Sequence, residues 1–214
     1  MVQPPPSVGI AAVWHQLKRN PLALAGGVIV ILLGLVAIAA PLLAPYDPAA
    51  YDIKRILLPP TREHPLGTDQ IGRDVLSRMI YGSRVSLVVG FVAVGIAIMI
   101  GMAVGVVAGY YGGVADSIIM LGVVDVMLTF PRFFLLLAVI AMLQPSIFVI
   151  MAVIGLTGWM GVARLVRAEV LSLKERDFVV SARALGAGDF SLMFTHILPN
   201  ALVPVLVSAV LGVA

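Results

Sequence analysis

The chain has 214 residues, 61% of them hydrophobic and only 12% charged, with a mean hydropathy of +1.09. Soluble domains carry about 25% charged residues, so a water-soluble globule is excluded, as are disordered, collagen-like and disulfide-stapled chains. The net charge of +3 is dispersed between apolar blocks, which fits juxtamembrane anchoring rather than nucleic acid, and the lack of cysteine removes disulfides, thiolate metal sites and a Cys nucleophile.

The predicted elements follow in chain order. Residues 1–20 form a short head in which Pro4-Pro5-Pro6 prevents regular structure and Ser7 to Asn20 suits an interfacial helix, with Trp14, Leu17 and Lys18-Arg19 at a membrane edge. The uncharged run from Asn20 to Tyr46 exceeds the roughly 7–15 residues of a cleavable signal and reaches the roughly 20 of a span. It predicts a retained first helix over about Leu22 to Leu43, leaving through Pro41 and Pro45. Residues 45–84 are a polar excursion, irregular around Pro59-Pro60, then a surface helix from Asp69 to Arg84 with Ile71, Val75, Met79 and Gly82 on one stripe. A solvated face accounts for its charges.

Val85 to Tyr110 is the second span, with Gly90, Gly95, Gly101, Gly105 and Gly109 allowing close helix approach. The third apolar block, Ile118 to Leu143, holds Asp125, Pro131 and Arg132, and Pro131 should bend or break it. Gln144-Pro145-Ser146 ends that block, and Ile147 to Ala163 is the fourth span. Residues 164–199 are polar again. The fifth block, Asn200 to Ala214, rises only about 22 Å as a helix, short of a core of about 30 Å, so the sequence looks cut inside a span. Orientation is undecided by charge: with the N-terminus inside, seven basic residues face in and six face out.

Motifs for chemistry are missing. No phosphate-binding G-x-x-x-x-G-K-[ST] loop or G-x-S-x-G elbow occurs, and His15, His64 and His196 form no H-E-x-x-H pair. No catalytic, cofactor-binding or metal-ligating residue is expected in this chain.

The informative segment runs from Asp177 to Pro199. Phe178, Ala182 and Leu185 fall on one helical face beside Ala184 and Gly186; Gly186 and Gly188 break the helix, Asp189 suits an N-cap for Phe190 to Phe194, and Pro199 stops that piece. A short helix lying across the ends of two spans would expose a mildly apolar knob. The segment resembles the EAA loop of ABC importer permeases, E-A-A, three residues, Gly, eleven residues, Leu-Pro. Those positions are Val180-Ser181-Ala182, Gly186 and Leu198-Pro199; the glutamate and first alanine of the motif are Val180 and Ser181 here. Arg19-Asn20-Pro21-Leu22-Ala23, His64 to Leu87, Asp125 to Pro131 and Gly158 to Val179 are similar to stretches of the C-type subunit of dipeptide, oligopeptide and nickel importers. The likeness covers nearly the whole chain.

The resemblance implies an all-α polytopic bundle of the type I ABC importer permease kind, truncated within the fifth span. Residues 1–60 would hold the first span and the start of an extracytoplasmic loop, 61–84 an extracytoplasmic amphipathic segment, and 85–214 the permease domain with its cytoplasmic coupling loop at 177–199. It implies a multi-pass protein of a bacterial or archaeal plasma membrane, N-terminus cytoplasmic, that moves peptides or related small solutes, nickel among them. Partners would be a homologous B-type permease, two ATPase subunits that bind the ATP and Mg, and an extracytoplasmic solute-binding protein. Phe178, Ser181, Ala182, Arg183, Ala184, Leu185, Gly186, Ala187, Leu198 and Pro199 would couple to an ATPase. Asp125 and Arg132, seven residues apart and on one face, would line the translocation path or a subunit seam, or snorkel. The rival reading is an ion-coupled carrier or channel subunit acting without ATP, which needs clustered intramembrane acidic groups or discontinuous helices at mid-depth; only Asp125 is a candidate.

Overall fold

The computed structural model describes residues 20–143 and 146–213. The interfacial helix expected before Asn20 and the turn at Gln144-Pro145 lie outside them. The chain divides into two compact units, one up to Leu87 and one from Val88.

In the first unit, α1 runs over Pro21–Ile38. Asn20 accepts the Ala23 N–H at 3.2 Å and Pro21 occupies the first turn, where its missing N–H costs nothing. Ala39 interrupts the helix and α2, Ala40–Leu43, completes it, so the predicted first span is present with a break just before Pro41. Ala37 and Ala40 are buried, while the leucines, isoleucines and valines of α1 other than Val36 stand exposed, as lipid-facing side chains do.

The polar excursion is more ordered than its charges led us to expect. A 3₁₀ turn, Ile53–Arg55, leads into a buried cluster built on His64 and Asp74. Arg55 Nη1 lies 3.1 Å from His64 Nε2; guanidinium only donates, so Nε2 accepts and Nδ1 donates to Asp74 Oδ1 at 2.9 Å. The Tyr46 ring packs on the imidazole at 4.8 Å. Asp69 accepts from the backbone of Ile71 and Arg73 and pairs with the guanidinium groups of Arg73 and Arg78. Desolvation raises both carboxyls, but these hydrogen bonds outweigh it and hold Asp69 well below the usual carboxylate range. Asp74 is lowered in the same way, against its burial, by the Ser77 N–H and His64.

The predicted helix from Asp69 to Arg84 is therefore corrected at both ends. Asp69 to Asp74 is a turn, closed by the Gly72 N–H on the Asp69 carbonyl and a bridge between Thr68 and Asp74. Gly72 sits at φ +77°, and a Cβ there would lie 1.9 Å from the Asp52 carbonyl oxygen. The helix begins only after Asp74, whose Oδ2 accepts the Ser77 N–H at 2.7 Å. It then runs without a break as α3, Val75–Tyr111, because no proline interrupts its backbone ladder.

In the second unit, α3 packs in parallel on α7, Ile147–Leu173. A Cβ at Gly101 would fall 2.6 Å from Val162, at Gly105 2.6 Å from the Ala163 carbonyl, and at Gly109 2.8 Å from Val170; Gly155 of α7 returns the contact against Ile96. Small residues every fourth position thus bring the two backbones together, where lipid supplies no hydrophobic drive and packing must. Gly95 meets nothing within 4 Å, so only the later part of the expected glycine series is used.

The third apolar block comprises α4, Gly113–Ser117, a stretch of π-turns at Ile118–Asp125, α5, Val126–Thr129, and α6, Arg132–Met142. The segments before and after Phe130-Pro131 meet at 74°, the bend expected from the proline. Among the described residues, α1, α3 and α7 are long and apolar enough to cross a membrane, and the bent pair makes a fourth. Ser146 caps α7 through the Phe148 N–H at 3.3 Å.

Candidate functional site

Beyond α7 the chain turns into α8, Asp177–Ala184, then α9, Asp189–Ser191, a π-turn stretch Leu192–Ile197, and α10, Leu198–Val213. Val179 is fully buried in a core with Val106, Val166, Val170, Leu192, Met193, Ile197 and Val205, a burial that contributes about 1.5–3 kcal/mol. Ala182, Ala187 and Leu198 pack partly against the same core. The expected face of Phe178, Ala182 and Leu185 is thereby corrected: Ala182 turns inward behind Val179. Phe178 is 42% and Leu185 88% exposed, with Ser181, Arg183 and Ala184 exposed on the same outer surface. One helical position separates the two sets, and only the packing on Val170 and Ile197 tells them apart.

Gly186 ends the helix at φ +89°. The Gly186 N–H bonds the Arg183 carbonyl at 3.0 Å and the Ala187 N–H bonds Ala182 at 3.1 Å, the pair of bonds that closes a helix on a left-handed residue. Glycine reaches this backbone region freely, so the sequence stops α8 at a defined residue and leaves Leu185 at its tip.

Two side chains tie this segment to the end of α3. Tyr110 donates its hydroxyl to Asp189 Oδ1 at 2.6 Å, and the Arg183 guanidinium stands 5.9 Å from the centre of the Tyr110 ring. Lys174 donates to the Gly109 carbonyl at 3.3 Å. Asp189 does not cap its own helix as expected: Gly188 takes the cap position, and Asp189 is the first helical residue, with its carboxylate accepting from Tyr110. Pro199 does not stop the helix either, and it lies exposed. The wider π-turns over Leu192–Ile197 open the backbone ahead of its ring, which would otherwise meet the Thr195 carbonyl four residues back, and helix continues through α10.

Asp125 and Arg132 are not brought together. Asp125 pairs with Arg164 of α7, and one turn further along α7 Arg167 holds both oxygens of Asp116. Arg132 reaches α7 elsewhere, donating from Nε to Thr157 Oγ1 at 3.1 Å and from Nη2 to the Ile154 carbonyl at 2.9 Å. The break at Pro131 turns α6 away from Asp125, so the shared helical face assumed from the spacing does not exist. Val179, Tyr110, Lys174, Arg164 and Arg167 were not singled out from the sequence. The three-residue spacing of Arg164 and Arg167 was the signal available for the last two.

The sequence that builds these elements has relatives. Residues 101–214 match the model of the binding-protein-dependent transport system inner membrane component, and residues 10–60 match the N-terminal transmembrane domain of oligopeptide transport permease C. The chain belongs to this permease family. The permease is 38% identical to a dipeptide transport system permease protein DppC of Haemophilus influenzae, over 98% of this chain and 72% of that protein. Against the DppC of Alkalihalophilus pseudofirmus the figures are 41%, 98% and 70%. A glutathione transport system permease protein, GsiD of Pectobacterium atrosepticum, is 38% identical over 91% of this chain and 64% of its own length. The permease is accordingly a multi-pass membrane subunit of an ATP-driven importer, all-α, and a transport component rather than an enzyme. Membership decides against the ion-coupled carrier.

Proposed function

We propose that this permease forms one half of a translocation pathway for short peptides and that α8 is the element through which ATP hydrolysis drives it. The peptide assignment is supported by the relatives, whose names refer to dipeptides and glutathione; nickel has no such support. The partners are a homologous B-type permease, two ATPase subunits that bind ATP and Mg, and an extracytoplasmic solute-binding protein. The α8 end faces the cytoplasm, which puts the N-terminus inside and residues 45–84 outside.

The observation that carries the coupling role is the two-sided character of α8. Val179 and Ala182 anchor it in the core while Phe178, Ser181, Ala184 and Leu185 present a small apolar knob to solvent. Leu185, at 88% exposure, stands at the tip of this surface beside Phe178, where a partner groove could receive it. Because the helix is fixed to α7, α10 and the end of α3, displacement of the knob moves the spans as a rigid body.

Leu185→Glu tests this. The side chain meets solvent, so insertion and pairing with the other permease should persist, while recovery of the ATPase in pull-downs and peptide uptake should fall at least tenfold. Full uptake with normal ATPase recovery would remove the coupling assignment.

A further inference from the structure

We propose that Arg132 is a carboxylate-binding residue of the translocation path, receiving the C-terminal carboxylate of the transiting peptide. The inference rests on the peptide-importer reading above and adds a site to it.

Depth is the first observation. Arg132 is held by Ile154 and Thr157, which straddle the middle of the uncharged run Ile147 to Ala163 of α7. A Cβ on Gly158 would lie 3.2 Å from both Arg132 Nη2 and the Ala97 side chain, and Ala97 is midway along the uncharged run of α3. Two helices thus independently put the guanidinium near the bilayer centre, about 12 Å from either end of the α7 run. Snorkelling to the interface is not open to a side chain already committed to α7 at that depth.

Charge is the second. Arg164 and Arg167 of α7 have carboxylates, Asp125 and Asp116. Among the described residues no Asp or Glu pairs with Arg132, and its Nη1 has no acceptor. A cation of this kind at mid-depth faces a cavity or a partner rather than lipid. Arg132 is exposed in the chain by itself, and the absence of a Cβ at Gly158 lets the guanidinium lie close against α7.

Geometry is the third. The span breaks at Phe130-Pro131, immediately before Arg132, and interrupted helices near the midplane are where transporters hold solutes. Thr157 and the Ile154 carbonyl hold Nε and Nη2, which leaves Nη1 available to a guest. The planar guanidinium matches a carboxylate. Every linear peptide ends in one whatever its side chains, so this contact would recognise the class without selecting a sequence.

The test uses the complete importer in proteoliposomes with its solute-binding protein at saturation, with radiolabelled dialanine and dialanine amide as probes. Arg132→Gln should keep the partner permease and binding-protein-stimulated ATP hydrolysis, lower dialanine uptake per ATP at least tenfold, and leave amide uptake at the wild-type level. Arg132→Lys, which retains the charge without the fork, should lie between and raise the half-saturating dialanine concentration severalfold; it decides the matter if the glutamine variant does not accumulate. Wild-type dialanine uptake in both variants overturns the assignment while leaving the peptide reading intact. Loss of the partner permease from both variants also overturns it, assigning the guanidinium to a subunit seam. A wild-type importer that takes up no peptide overturns the peptide reading and this proposal with it.

Discussion

Tyr110 and Asp189, 79 residues apart in the chain, share a hydrogen bond of 2.6 Å that joins the last turn of α3 to the first turn of α9. A span and the segment that follows α8 therefore move together. The bond is charge-assisted but partly solvated, so its contribution lies near the low end of about 1.5–3 kcal/mol. Tyr110→Phe removes it and the support of the Arg183 stacking changes little. The expected result is an intact, inserted protein in which amides of residues 185–192 exchange faster with solvent, measured by hydrogen exchange in detergent. Unchanged protection there would show that the bond does not hold the segment.

The cap at Gly186 makes a second prediction. A Cβ there meets nothing within 4 Å, so the whole cost of Gly186→Ala is conformational, from φ +89°. That cost is about 1–2 kcal/mol for an L-residue in the left-handed region. Asparagine visits that region more readily, so Gly186→Asn should recover part of the loss. The order Gly, Asn, Ala in α8 protection and in ATPase recovery is the expected outcome; equal behaviour of Asn and Ala would point to a steric rather than backbone origin.

Asp125 and Arg164 form a double-mutant cycle. Asp125→Asn combined with Arg164→Gln should be less harmful than the sum of the single changes by about 0.5–3 kcal/mol, read from thermal unfolding of the purified permease. Each single change leaves one charge without its partner. The corresponding cycle of Asp125 with Arg132 should be additive within about 0.5 kcal/mol, because the two groups have separate partners.

A fourth prediction concerns pH. Asp69 and Asp74 titrate lower in the folded loop than in the unfolded chain. A depressed carboxyl contributes stability that is fully present above its unfolded value, about 3.9, and is lost as pH falls towards the folded value. The loop over residues 52–78 should therefore keep its protection at pH 5 and above and loosen below about pH 4, after correction for intrinsic exchange. Asp69→Asn and Asp74→Asn should each remove part of that acid dependence, and the double change most of it. A loop equally protected at pH 3 and pH 6 would contradict the assignment.

Hydropathy determined the helical class and the number and approximate limits of the four spans, and Pro131 the bend. These follow from backbone chemistry, since a long uncharged run must bond its own N–H and C=O groups in lipid and proline removes one of those bonds. The end of α8 was legible for a similar reason, since a glycine at φ +89° marks where the helix stops; the proposed coupling role of the segment came from its resemblance to the EAA loop and not from that geometry. Only the tertiary structure decided which carboxylate each arginine meets. Seven-residue spacing put Asp125 and Arg132 on one face, yet the 74° break separates them, and Arg164 and Arg167 arrive from another helix. The inward turn of Ala182 and the burial of His64 with Asp74 belong to the same kind. Charge pairing and burial depend on neighbours distant in sequence, and no pattern along one segment encodes where a second segment will stand.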